Sequence, residues 1–198
     1  MRYKFIIIDS AHGGKEPGHK SPAFMHNGAE HIFYEWEFNA DIAFLIYEYL
    51  QQYSISLTLF DTRNFTDHLR HSVDFINSVA DRYGADNVFF VSIHANSAAS
   101  QNWSKASGVK TVYTTAKEEA NIFQCKISAA LMGYGVADRG VEIRHDEYLL
   151  NNTECKGVLT FNGYYTNKNE VKLLMDKSVR NEIALAHVEA IKWVTGWH

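Results

Sequence analysis

Two histidines of the 198-residue chain stand directly after apolar runs of strand character. His12 follows Phe5-Ile6-Ile7-Ile8-Asp9, in Ser10-Ala11-His12-Gly13-Gly14. His94 closes Val88-Phe89-Phe90-Val91-Ser92-Ile93 and precedes Ala95-Asn96-Ser97. In open α/β sheets ligands bind in the crevice outside the carboxyl ends of the strands, so two histidines at strand ends can converge there. Imidazole is the commonest zinc ligand, and Glu35, at the start of a helical stretch, offers a third donor on the same edge. The competing reading is two hydrogen-bonded histidines that merely finish two strands. Spacing alone leaves both open. The glycine-bearing loop after the first strand also permits a phosphate site, but neither the dinucleotide nor the P-loop glycine motif occurs.

The other eight histidines have plainer readings. His187 falls on the apolar stripe of the last helix and reads as a core histidine. His68 and His71 fall on the polar side of a helix, His19, His26 and His31 in a long loop, and His198 at the terminus. No role beyond solvation or local hydrogen bonds is expected of these six. His145, in Arg144-His145-Asp146-Glu147, reads as surface loop, with a place in a substrate cleft as the alternative. Cys125 and Cys155 match no zinc spacing and read as two free, buried thiols.

The elements that must position these groups alternate along the chain. Short apolar runs at 4–9, 56–60, 88–93, 109–113 and 157–161 predict strands. Helical spacing begins near Glu35 with Phe38, Ile42, Leu45, Ile46 and Tyr49. A second helix carries Leu69, Val73, Ile76 and Ala80, with Thr66 as its cap and Gly84 as its end. Thr115 with Glu118 has capping-box spacing for a third helix to about Met132, and Val179 to Val194 stripe the last one. Residues 10–33 read as one long loop, a length that tends to be functional. Strands alternating with helices predict a single α/β domain over 1–198, with a mostly parallel twisted sheet and helices on both faces.

Composition excludes several other classes. Hydrophobic residues make up 46% and charged residues 21%, as in folded globular domains rather than disordered chains. A net charge of −4 gives no electrostatic footprint for nucleic acid. No stretch reaches the ~18 apolar residues of a membrane span. The first apolar run is also shorter than a signal peptide's, so synthesis in a cytoplasm without a signal peptide is expected.

His12-Gly13-Gly14 after a strand, Glu35 four residues before Asn39, and Ser92-Ile93-His94-Ala95-Asn96-Ser97 together resemble the zinc-dependent N-acetylmuramoyl-L-alanine amidases, particularly their phage and prophage endolysin-like branch. Collinear matches follow at Thr62-Arg63, Gly108-Val109, Asp138-Arg139-Gly140-Val141, Thr153 with Cys155, Val158-Leu159-Thr160 with Asn162, Asn167 and Leu173. The resemblance covers roughly 4–195. It implies one Zn²⁺ held by His12, Glu35 and His94, with a fourth position open, as catalytic zinc sites have. It also implies substrate contacts at Asn96 and Arg139, peptidoglycan as partner, and action on the cell wall after release by another protein. For Asn96 the alternative is a cap on the turn after its strand. The loop 95–107 and the segment Arg144 to Asn152 are expected to wall a groove across the metal.

The departures carry as much information. Ala11 stands where the family has Gly, Ser72 where an Arg is expected, and Lys156-Gly157 where a Pro or Ala pair is usual. Most consequential, the family's catalytic Glu falls on Phe161, which can neither take nor give a proton. General acid–base catalysis contributes typically ~10²–10⁴-fold, so a feeble enzyme is expected unless another group stands in. Glu154, Glu147, Asp146 and His145 are the upstream candidates, Glu154 first. The second functional reading is a zinc-containing pseudoenzyme that binds peptidoglycan without cutting it. If the alignment holds, Phe161 points into the space beside the metal while Thr160 and Asn162 point the other way.

Overall fold

A computed structural model of the protein describes residues 3–16, 18–53, 55–100 and 102–196; His198 lies outside them. The strands are β1 (Phe5–Asp9), β2 (Phe24–His26), β3 (Ala29–His31), β4 (Ser56–Phe60), β5 (Val88–Asn96), β6 (Val109–Tyr113), β7 (Asp138–Ile143) and β8 (Lys156–Tyr164). The helices are α1 (Glu35–Leu50), α2 (His68–Tyr83), α3 (Lys117–Leu131), α4 (Tyr148–Asn152), α5 (Glu170–Met175) and α6 (Lys177–Thr195). Six strands form one sheet in the order β4-β1-β5-β8-β6-β7, and β2 pairs with β3 apart from it. Every neighbouring pair in the large sheet is parallel except β6 with β8. The fold class read from the sequence therefore holds.

Near-continuous apolar runs need cover on both faces, and β1 and β5 take central positions where they receive it. Alternation along β5 sends Phe89, Val91 and Ile93 into a core shared with α1, α3 and α6. It sends Val88 and Phe90 to the other face, against Ile7, Leu159 and the α2 residues Val73, Ile76 and Ala80. The same alternation places Ser92 and His94 on the α2 face. Gly157 is required there too, because a Cβ would stand 2.2 Å from the Phe90 ring.

Several local expectations need correction. The supposed loop 10–33 contains the β2–β3 hairpin, turned by Asn27 and Gly28 at φ 49° and 79°. Positive φ at both central residues is what a two-residue hairpin turn demands and what Asn-Gly supplies. The polar run Asp138–Ile143 is an edge strand. Part of 144–152 is α4. Thr66 does not cap α2, whose N-cap position is Asp67, and Ala116 rather than Thr115 precedes α3; neither helix has a side-chain cap of its own. Cys155 is a buried free thiol as expected, but Cys125 is exposed.

Candidate functional site

His12 sits in the loop that leaves β1, at φ 65°, a left-handed backbone that non-glycine residues rarely adopt. Its neighbours hold it there. The Thr62 hydroxyl donates to the His12 carbonyl at 2.7 Å, and Gly14 N–H donates to the Arg63 carbonyl at 3.0 Å. Gly13 packs so tightly that a Cβ would stand 1.9 Å from the Phe65 carbonyl oxygen. From the other side Asn39 of α1 donates to the Ala11 carbonyl at 2.8 Å. Glu35 lies one helical turn before Asn39, on the same face of α1, so the helix that ties down the loop also delivers the carboxylate.

The three side chains come together. Glu35 Oε1 stands 3.4 Å from His12 Nε2 and 3.5 Å from His94 Nδ1. These are long for hydrogen bonds, but two ligands of one tetrahedral zinc, each ~2.0–2.1 Å from it, stand about 3.3 Å apart. His12, Glu35 and His94 each offer a ligand atom within 4.8 Å of the others, so the residues present fit a zinc ion. His12, Glu16 and His68 form a second group meeting the same criterion.

The charges are strongly coupled. Burial works against a charged Glu35, yet His12, His19 and His94 around it hold its carboxyl well below the usual range. Burial likewise opposes charge on His12, but Glu35 and Glu16 lift its pKa to about 9. Glu35 and His12 thus form a carboxylate–imidazolium cluster.

His94 is held in a definite tautomer. The fully buried Asp9 carboxylate accepts from Ser72 Oγ at 2.7 Å and from Ser92 Oγ at 2.5 Å. With its proton given to Asp9, Ser92 Oγ can only accept from His94 Nε2, 3.2 Å away. The lone pair of His94 is then on Nδ1, the nitrogen that faces Glu35. Asn162 fastens the strand by donating to the His94 carbonyl at 3.0 Å. Ser72, a departure in the sequence, thus serves as the second donor to Asp9.

Phe161 pairs in register with His94, and its ring stacks on the imidazole at 5.1 Å between centroids. On its other side Lys110 Nζ lies 5.7 Å from the ring centroid and bonds Glu142 at 2.6 Å. Thr160 faces the opposite core, where its hydroxyl meets His187 Nε2 at 2.9 Å. Arg139 stands at the same end of the sheet, near the Ser107 carbonyl and the Tyr164 ring. Asn96 Oδ1 accepts from the N–H of the next residue, Ser97, at 2.8 Å.

Other expectations fail on topology. Glu154 lies before the amino end of β8, beside Tyr3 and Asp86, seven residues from Phe161, or about 23 Å at ~3.3 Å per residue. The antiparallel β6 reverses direction, so β7 ends far from His94 and carries Arg144 to Asn152 to that same remote end. His145, Asp146 and Glu147 go with it. That segment is no wall of the site. Two histidines assigned no role join the cluster instead. His19 stacks on His12 at 3.7 Å, with Nδ1 3.5 Å from Glu35 Oε2, and His68 is buried with Nδ1 2.6 Å from Glu16 Oε1. The 52-residue gap between Glu16 and His68 gave no local signal.

Fold and site together define an α/β protein with a metal-competent His–Glu–His cluster at the carboxyl ends of parallel strands. The chain belongs to the N-acetylmuramoyl-L-alanine amidase family Amidase_3, whose pattern matches residues 6–193. An endolysin of Bacillus phage SPP1 is 27% identical over 194 residues, a match covering 95% of this chain and 65% of the endolysin's length. The catalytic domain of CwlV, an N-acetylmuramoyl-L-alanine amidase from Bacillus (Paenibacillus) polymyxa, is 26% identical with a TM-score of 0.79, over 98% of this chain and 99% of that one. An N-acetylmuramoyl-L-alanine amidase from Clostridium difficile 630 shares the fold at 21% identity and a TM-score of 0.79, over 99% of this chain and 98% of its own.

Proposed function

We propose that the protein is a zinc-dependent N-acetylmuramoyl-L-alanine amidase of peptidoglycan, slowed by the loss of its proton-transfer group at Phe161. The observation that carries this reading is the pair of nitrogen–oxygen separations, 3.4 and 3.5 Å, that converge on Glu35 Oε1 in a member of this family. His12 Nε2, Glu35 Oε1 and His94 Nδ1 would hold the metal. When bound, zinc polarises the scissile carbonyl and acidifies water. Hydrolysis adds water across the amide between muramic acid and L-alanine: oxygen goes to the carbonyl carbon, and the amine leaves with a proton. Phe161 can carry neither proton. Its ring shields one face of His94 and makes the cleft more apolar on that side. Asn96 and Arg139 are the substrate contacts proposed, Asn96 through its amide nitrogen, since its oxygen is taken by Ser97.

Among the described residues no helix is long and apolar enough to cross a membrane. Synthesis in the cytoplasm and action on the wall after release remain part of the proposal. The stacked Phe161 ring favours a second reading, a zinc-holding module that binds wall peptide without cleaving it. Incubation with purified walls, followed by quantification of newly freed L-alanine amino groups, separates the two. The amidase reading expects slow release that stops on chelation and resumes with Zn²⁺. No release at any zinc loading, together with retained wall binding, would favour the module.

A further inference from the structure

We propose that Glu16 and His68 are positioning residues that set how tightly the His12–Glu35–His94 site holds its metal, acting through His12; this rests on the metal reading above. Glu16 lies four residues after His12, in the strapped loop. Its Oε1 accepts from the backbone N–H of His68 at 2.9 Å and lies 2.6 Å from His68 Nδ1. His68 is the first residue of α2, and Asp67 at the N-cap position offers that helix no side-chain bond. Glu16 therefore supplies the missing cap from another segment, and two donors of one residue fix its carboxylate.

That leaves Oε2, which stands 3.5 Å from His12 Nδ1. This nitrogen is buried and has no hydrogen-bond partner. Buried polar atoms without partners are rare and call for an explanation. The other nitrogen, Nε2, faces Glu35. For Nε2 to give its lone pair to a metal, the ring proton must sit on Nδ1, and Glu16 Oε2 is the acceptor within reach. A movement of about half an ångström turns the contact into a hydrogen bond. Metal-bound histidines almost always donate their other N–H to a carboxylate, carbonyl or water, and mutation of such partners typically costs ~10–100-fold in metal affinity. His68 completes the chain by fixing Glu16, with its own ring edge-on to His12 at 4.7 Å.

A second cation between His12, Glu16 and His68 is the rival assignment. The 2.6 Å separation of His68 Nδ1 from Glu16 Oε1 argues against it, being a hydrogen-bond distance rather than the ~3.3 Å between two ligands of one zinc. Zn²⁺ affinity of the full chain, by chelator competition, and the visible spectrum of the Co²⁺ form distinguish these assignments, with metal-free melting as the control for folding. Glu16→Gln is expected to weaken Zn²⁺ binding ~10–100-fold and to shift the Co²⁺ bands, with Glu16→Asp recovering part of the loss. His68→Gln, which keeps the backbone donor to Glu16 and so the helix cap, should weaken binding about 10-fold at parental melting temperature. Parental affinity and Co²⁺ spectrum in both Glu16→Gln and His68→Gln, with binding still lost in His94→Ala, would overturn the positioning role alone. A second metal equivalent that disappears in His68→Gln would overturn it in favour of the rival site. A parent chain that binds no zinc would overturn this proposal and the metal reading together.

Discussion

His94 and His187 are both withdrawn from solvent, 7% and 0% exposed, on opposite sides of the sheet. His187, on α6, is closed: Nδ1 meets the Ile183 carbonyl at 2.7 Å and Nε2 meets the Thr160 hydroxyl at 2.9 Å. Burial pushes its pKa down to about 4, against the pull of the Ile183 carbonyl, so it is a neutral core group. On the other side Ser92 takes one nitrogen of His94, and the second faces a carboxylate at a separation too long for a hydrogen bond and right for a shared metal. Burial does not distinguish a structural histidine from the ligand proposed here. The partner of the second nitrogen does.

The sharpest way to break this comparison is to remove each ring in turn. His94→Ala should take zinc content from near one per chain to near zero, read by elemental analysis of protein purified without chelator. Unchanged stoichiometry would put the metal elsewhere. Ser92→Ala removes the acceptor that fixes the His94 tautomer and one donor to Asp9. Competition titration should show zinc affinity ~10–100-fold weaker, the usual cost of losing such a partner.

On the opposite side the expected effect is on stability and not on zinc. The unfolded chain protonates His187 near its ordinary pKa of 6.5, whereas the folded chain does so only near 4. Its contribution to stability is therefore complete above pH 6.5 and shrinks as pH falls towards 4, by about 2 kcal/mol between pH 6.5 and 5. Urea unfolding of the metal-free protein across that window should be steeply pH-dependent in the parent and flatter in His187→Leu. The smallest effect belongs to Asp176, whose carboxylate accepts from the N–H groups of Ser178 and Val179 to cap α6. Asp176→Ala should cost about 1 kcal/mol while zinc affinity stays parental. A matching loss of affinity would show that the two sides are coupled.

Much of this contrast was legible in the sequence. The apolar period of α6 marks His187 as core, and the strand-end positions of His12 and His94 allow them to converge, because both signals are local. The helix start already offered Glu35 as a third donor, and the resemblance supplied the departure at Phe161. What the sequence hid was non-local. Nothing in Val109–Tyr113 shows that β6 runs antiparallel to β8, and that reversal carries 144–152 to the far end of the sheet. His68 read as a solvated helix residue because its partner, Glu16, lies 52 residues earlier in a loop. The hairpin at Asn27-Gly28 did carry its usual signal, outweighed by the surrounding polar residues.

In the proposed site the metal half is intact and the proton-transfer half is missing. Release of L-alanine amino groups from walls by the parent and by Phe161→Glu, at equal zinc content, tests it most directly. The parent should be slow, and the variant at least ~100-fold faster, the lower end of what general acid–base catalysis supplies. A parent as fast as the variant would mean that another group already moves the proton, and a folded, zinc-loaded variant that stays inert would mean that Phe161 is not what limits this site.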